Sequence, residues 1–315
     1  MKLSREEIRR ITVGAVRAWE EDGALCFSKV TEEETEAWRK AAEWILPNVR
    51  ATTGIRLDFW TDSSFVRVQT AGGTKYEVLT DGLLSHRFTP DPENRTFTAD
   101  LQKGGHRVTV VLPSHLEPGR IRSVEIEDGA ALEPWRYDEK ILFLGDSITQ
   151  GWNADCDCLS FAYQVSLARN ARSVIQGIGG AFFLPEAVTD FGFLPDTVFV
   201  AYGTNDFGFF PTLGVLGEKA EGMLSRVKEL YGGARIRVIT PPWRQDYNIP
   251  RAMGTFDECR ETIRKTAERV GLTVVDGYAL YPHRNEFMAD ELHPNDLGFA
   301  QYAAHLLRLA YKDET

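Results

Sequence analysis

The chain has 315 residues, 43% of them hydrophobic and 26% charged, with a formal net charge of −10. That composition is globular, the length fits two domains with sizeable cores, and the acidity argues against a nucleic-acid binder, which needs a basic face to neutralise phosphates. No run of about 18 apolar residues occurs, so no membrane span is expected.

Four cysteines, Cys26, Cys156, Cys158 and Cys259, form no CxxC pair and no zinc spacing. With an N-terminus that lacks an apolar signal-peptide core, they point to free thiols and a cytoplasmic location.

Residues 1–50 read as an N-terminal helical segment, through LSREEIRRITVGAVRAWEE and then TEEETEAWRKAAEWIL. In the second stretch Trp38, Ala41, Ala42 and Ile45 recur at helical spacing, and Thr31 with Glu34 forms a capping box. Trp38 and Trp44 read as core residues. Over residues 51–136 the period changes to apolar–polar alternation, and turn dipeptides recur at intervals of roughly ten residues. This predicts a β-sandwich of jelly-roll type. Over residues 137–315 the near-continuous apolar strands KILFLG, SVIQG, DTVFVAYG, RIRVIT and LTVVDG alternate with helical patterns. That alternation predicts a parallel sheet covered on both faces, a three-layer α/β/α domain. In such sheets ligands bind beyond the C-terminal ends of the strands.

Four short stretches fall in loops at that rim. They are GDS at 145–147, GIGG at 177–180, GTND at 203–206 and DELHPN at 290–295. Singly each has a structural reading. Ser147 could be a helix cap, the glycines a βα turn, GTND an Asx turn, and DELHPN a helix entry. Together they supply what acyl transfer needs. Ser147 is a nucleophile that requires a base, and His293 can take and return its proton. Asp290, three residues before His293, can hold the imidazole in one tautomer. Backbone N–H groups of Ser147 and Gly180 with the Asn205 amide can meet the oxyanion of a tetrahedral intermediate.

In these blocks, Gly145-Asp146-Ser147, Gly180, Gly203-Thr204-Asn205-Asp206 and Asp290-Glu291-Leu292-His293, the chain resembles the SGNH hydrolases, or GDSL esterase/lipase family. The resemblance spans roughly residues 138–312. It implies a flavodoxin-like α/β/α sheet and metal-free ester hydrolysis. It also implies Ser147 as nucleophile, His293 as base, Asp290 as its partner, and Ser147, Gly180 and Asn205 as oxyanion hole. The second block departs from the family pattern, with Ala181 where Gly-Asp is usual. A sandwich ahead of such a domain is similar to two-domain carbohydrate esterases. That implies short-chain, acetyl-type esters on a small-molecule or oligosaccharide alcohol, with no cofactor.

Other chemistries fit less well. A two-metal phosphoesterase needs histidines beside GDS and GTND, where none stands. An α/β-hydrolase elbow wants glycine where Thr149 stands, and a dinucleotide fold wants GxGxxG after the first strand. Two alternatives keep the same residues: a lysophospholipase or thioesterase acting on longer chains, and a non-catalytic carbohydrate-binding protein. Trp152, Tyr202 and Trp243 lie in or beside loops near the expected crevice; they form either a sugar-stacking subsite or loop packing. His283 reads as a surface histidine.

Overall fold

In a computed structural model, which describes residues 1–115 and 117–312, the chain builds three sheets. Alternation sets the first two. Along Phe65–Gly72, Val66, Val68 and Thr70 point inward while Arg67 faces solvent. One antiparallel sheet runs in the order Thr12–Val13, Arg56–Thr61, His106–Val111, Tyr76–Thr80, Leu83–Phe88, with Glu133–Pro134 also paired to Arg56–Thr61. The other runs Arg17–Glu21, Ala24–Ser28, Arg120–Ile126, Phe65–Gly72, Thr96–Asp100. Their inner faces share a core that includes Phe27, Leu57, Phe59, Val68, Val110 and Ile121, the packing of a β-sandwich.

The N-terminal reading needs correction. Helices form at Arg5–Ile11, Glu32–Ala42 and Leu46–Arg50, but residues 17–28 are a hairpin of the sandwich. Asp22 and Gly23 make its two-residue turn with φ of +50° and +73°. An Asp-Gly pair accepts that left-handed backbone, and this local preference overrides the helical spacing of the flanking apolar residues. The capping box at Thr31 is present: its side chain accepts from Glu34 N–H, and Glu34 reaches back to the Thr31 N–H.

The third sheet is parallel, in the order Ala171–Gly177, Glu139–Gly145, Thr197–Ala201, Arg235–Ile239, Thr273–Val275. By sequence this is the 2-1-3-4-5 order of flavodoxin-like sheets. Alternation along Glu139–Gly145 splits its burial. Leu142 and Leu144 face a core shared with the helices Leu213–Tyr231 and Phe256–Val270. Ile141 and Phe143 face Phe161–Ala168 and Asp296–Ala310. The N-terminal helix Glu32–Ala42 belongs to the first of these layers, with Trp38 fully buried there. Among the described residues no helix is long and apolar enough to cross a membrane.

Arg56 crosses from the sandwich to the parallel sheet. It donates to Ala171 O at 3.0 Å and to Ser173 Oγ at 3.2 Å. Asp58 beside it accepts from Arg107 at 2.7 and 3.0 Å, from Thr109 and from the Tyr137 hydroxyl. Asp58→Ala would leave the buried Arg56 and the half-buried Arg107 without their carboxylate. We expect a loss of about 3–5 kcal/mol, read as a lower urea midpoint against the parent.

Candidate active site

The strand Glu139–Gly145 ends where only glycine fits: a Cβ at Gly145 would lie 2.1 Å from Thr149 Oγ1 and 2.9 Å from Ala201 O. The next residue, Asp146, caps the short helix Ser147–Gln150 by accepting from Ile148 N–H at 2.9 Å. Burial pushes the Asp146 carboxyl up to about 7. The cap role thus falls to Asp146, and Ser147 is left as the first helical residue with its hydroxyl free for another partner.

That partner is His293. Ser147 Oγ lies 2.8 Å from His293 Nε2, and His293 Nδ1 lies 2.9 Å from Asp290 Oδ2. A carboxylate can only accept, so Nδ1 carries the proton and Nε2 accepts from the serine hydroxyl. The loop at 290–295 is folded around its own carboxylate. Asp290 Oδ1 accepts from the N–H groups of Leu292 at 2.7 Å and His293 at 2.6 Å. Asn153 donates to the other oxygen at 2.6 Å. Partial burial raises the Asp290 pKa, but the N–H groups and imidazole of His293 outweigh it and hold the carboxyl below its ordinary value. Burial holds the His293 imidazole below its ordinary value, because the attraction of Asp290 offsets only part of the desolvation.

The second and third loops are locked to each other. Asn205 Nδ2 donates to Ala181 O at 2.8 Å, leaving its second amide proton available. Asp206, fully buried, accepts from Phe183 N–H and Gly203 N–H, both at 2.9 Å, and burial pushes its carboxyl up to about 7. Gly179 N–H is taken by Gln150 Oε1 at 2.6 Å. Among the described residues no acceptor takes the N–H of Ser147 or of Gly180. Gly180 has φ +85°, and a Cβ there would lie 2.5 Å from Trp44 Cη2 and 2.8 Å from Ile45 Cγ2.

Of the aromatic residues expected near the crevice, Trp152 stands beside His293. It is half-buried, with its ring 6.3 Å from that of His293. Tyr202 is 3% exposed and packs on Phe183; Trp243 is 7% exposed, stacked on His283 and flanked by Tyr247. Both serve packing. Trp44, read as core, stands 63% exposed beside Gly180. Sequence reasoning missed His115, whose ring meets Trp152 at 5.0 Å, because it arrives from the sandwich. It also missed Asn153, although that residue lies close after Ser147 in the chain. A polar residue six positions beyond a candidate serine carries no signal of its own.

A family model described as the GDSL-like lipase/acylhydrolase family matches residues 143–301. No curated protein matches the sequence significantly. Among solved structures, the chain is similar to a salicylyl-acyltransferase from a tetracycline biosynthetic pathway. The TM-score is 0.84 at 20% identity, over 96% of this chain and 94% of that one. It is also similar to a family two carbohydrate esterase from Cellvibrio japonicus, with TM-score 0.72 and 16% identity over 100% and 99% of the two chains. A third is an acetyl xylan esterase from the rumen bacterium Butyrivibrio proteoclasticus, with TM-score 0.61 and 15% identity over 83% and 90%. At these identities the likeness is one of fold, and it extends across sandwich and parallel sheet together.

The Gly180 geometry gives a direct test. Gly180→Ala would put a Cβ against Trp44 and Ile45 at a left-handed backbone, so the loop must shift its N–H. We expect ester turnover to fall by about 10²-fold or more, with the circular dichroism spectrum unchanged. A fall of less than tenfold would remove Gly180 N–H from the site.

Proposed function

The chain belongs to the GDSL-like lipase/acylhydrolase family and is a carboxylic ester hydrolase, and on that premise we propose that Ser147, His293 and Asp290 carry out its chemistry on acylated carbohydrates. The observation that carries this reading is the continuous contact from Ser147 Oγ to His293 Nε2 at 2.8 Å and from His293 Nδ1 to Asp290 at 2.9 Å.

The mechanism follows from those contacts. Ser147 Oγ attacks the ester carbonyl as its proton passes to His293 Nε2. The oxyanion is met by the N–H groups of Ser147 and Gly180 and by the second amide proton of Asn205. Collapse breaks the bond to the alcohol, which leaves with the proton from His293. Water then attacks the acyl-enzyme with the same imidazole as base, releasing the acid and restoring the hydroxyl. Asp290 keeps the ring in the tautomer that can accept, and Asn153 holds the far oxygen of that carboxylate.

Because His293 must protonate the leaving oxygen, the alcohol lies on the imidazole side, where Trp152 and His115 stand. An aromatic face beside a polar ring suits a sugar. Similarity in fold to a carbohydrate esterase and an acetyl xylan esterase supports acetylated sugars as the substrate class. We also propose that residues 137–315 act as the hydrolase unit, with the sandwich over 51–136, completed by the strands of residues 12–28, as its support.

Three outcomes check this reading. Ser147→Ala, folded as the parent, should abolish turnover of 4-nitrophenyl acetate and deacetylation of acetylated xylo-oligosaccharide. Persistent turnover would overturn the reading. The acid limb of kcat/KM should have its midpoint below about 6.5, the ordinary histidine value, because a lowered pKa keeps His293 neutral to more acid pH. Asp290→Asn removes the group that raises that pKa. It should therefore move the midpoint further to acid and lower kcat by about 10⁴-fold. A midpoint that rises instead would remove Asp290 as the partner.

A further inference from the structure

Two large apolar rings stand in solvent beside the Gly180 and Asn205 loops. Trp44 is 63% exposed and Phe209 50% exposed, and they meet edge to face with centroids 5.9 Å apart and planes at 88°. Both are fixed to the oxyanion loops. The Trp44 indole lies against Gly180, where it fills the space a Cβ would take. Phe209 sits one turn beyond Asn205, with its N–H donating to Asn205 O at 3.0 Å. Phe182, two residues after Gly180, meets Phe209 at 6.0 Å and the buried Trp38 at 5.5 Å, so the patch is anchored to the core and does not swing freely. Leaving such rings in water forgoes hydrophobic stabilisation, and contiguous apolar exposure beside a reactive site marks a ligand surface.

Reaction geometry says which part of the ester reaches them. The tetrahedral carbon bears Ser147 Oγ, the oxyanion, the leaving alkoxy group and the acyl group. The alkoxy oxygen must face His293 to be protonated, and the oxyanion must face Gly180 and Asn205. The acyl group then extends away from the imidazole across the two oxyanion loops, toward Trp44 and Phe209. We propose that these two rings form an acyl-binding wall that accepts planar aromatic acyl groups in addition to acetyl, with an aryl ring seated in the right angle between indole and phenyl. An acetyl methyl is too short to cover both rings, whereas an aryl group gains an edge-to-face and an offset contact with them. This inference rests on Ser147 as the nucleophile. The chemistry is unchanged: the Ser147 Oγ–acyl bond forms, the ester C–O bond breaks, and the proton passes through His293 to the alcohol.

The test compares 4-nitrophenyl benzoate with 4-nitrophenyl acetate, which share a leaving group and differ only in the acyl part. The ratio of kcat/KM for benzoate over acetate should fall about tenfold in Trp44→Ala and in Phe209→Ala, and further in the double variant. Because each ratio is taken on one enzyme preparation, partial misfolding cancels. Benzoate ion should also inhibit acetate turnover, with an inhibition constant that rises in both variants. An unchanged ratio, with both esters falling together, would mean that the rings only brace the Gly180 loop, and the inference fails. If the parent turns over neither ester, it is the nucleophile reading that fails; if it turns over acetate and the ratio ignores the wall, only the wall is lost.

Discussion

The geometry of the proposed site depends on a buried polar seam between the N-terminal half of the chain and the parallel sheet. Gln150, on the same short helix as Ser147, is its centre. Its amide nitrogen donates to Ser114 O, at the end of the sandwich, and its amide oxygen accepts from Gly179 N–H at 2.6 Å. One side chain therefore ties the serine helix, the second loop and the sandwich together. Asn48 donates to Gly179 O at 3.0 Å, so the peptides preceding Gly180 are held from both sides. Behind Asn48, Lys29 donates to Asn48 O and to Thr53 Oγ1, both at 2.8 Å. Gln176 donates to Lys29 O and to Glu34, each at 3.0 Å. Burial pushes the Lys29 ammonium far down and the Glu34 carboxyl up to about 7. A network of this kind is rigid when its members are paired, since each alternative arrangement leaves a desolvated polar group behind.

The sandwich acts on the site through a second set of contacts. Glu77, buried on the strand Tyr76–Thr80, accepts from Asp157 N–H at 2.7 Å and Cys158 N–H at 2.9 Å. Lys75 and Arg87 donate to Asp155 O. The segment thus gripped carries Trp152 and also Asn153, which bonds Asp290. Asp155 N–H in turn reaches Asp296 at 3.0 Å, at the start of the last helix. The support of the histidine loop therefore runs from a sheet more than 200 residues earlier in the chain. Cys156 and Cys158 are buried free thiols in this segment, packed with Leu79, Val111 and Tyr163. Burial pushes the Cys156 thiol up to about 11, which makes it a packing group and not a reactive one.

Two modules joined in this way share one structural fate. The helix Glu32–Ala42 fills a layer of the α/β/α stack, Arg56 bonds the edge strand of the parallel sheet, and Trp44 closes the loop at Gly180. The extended similarity in fold to enzymes that carry both parts is the expected consequence.

Local rules made much of this legible. Apolar strands alternating with amphipathic helices require a covered parallel sheet, and period-two alternation with regular turns requires a sandwich. The spacing of Asp290 and His293 on one loop lets a carboxylate and an imidazole face each other, whatever surrounds them. At 17–28 apolar spacing satisfies a helix as well, and the Asp22-Gly23 turn together with pairing to the strand Arg120–Ile126 selects the extended form. What the chain could not reveal by itself is which distant surfaces meet. The burial of Tyr202 and Trp243, the exposure of Trp44 and the arrival of His115 are each set by elements far away in sequence. The sequence by itself determined the chemical groups and the secondary structure that carries them, because those follow from short-range preferences. Only the tertiary structure decided which N–H groups remain unpaired and which rings remain wet, because both are properties of what packs against a residue and not of the residue.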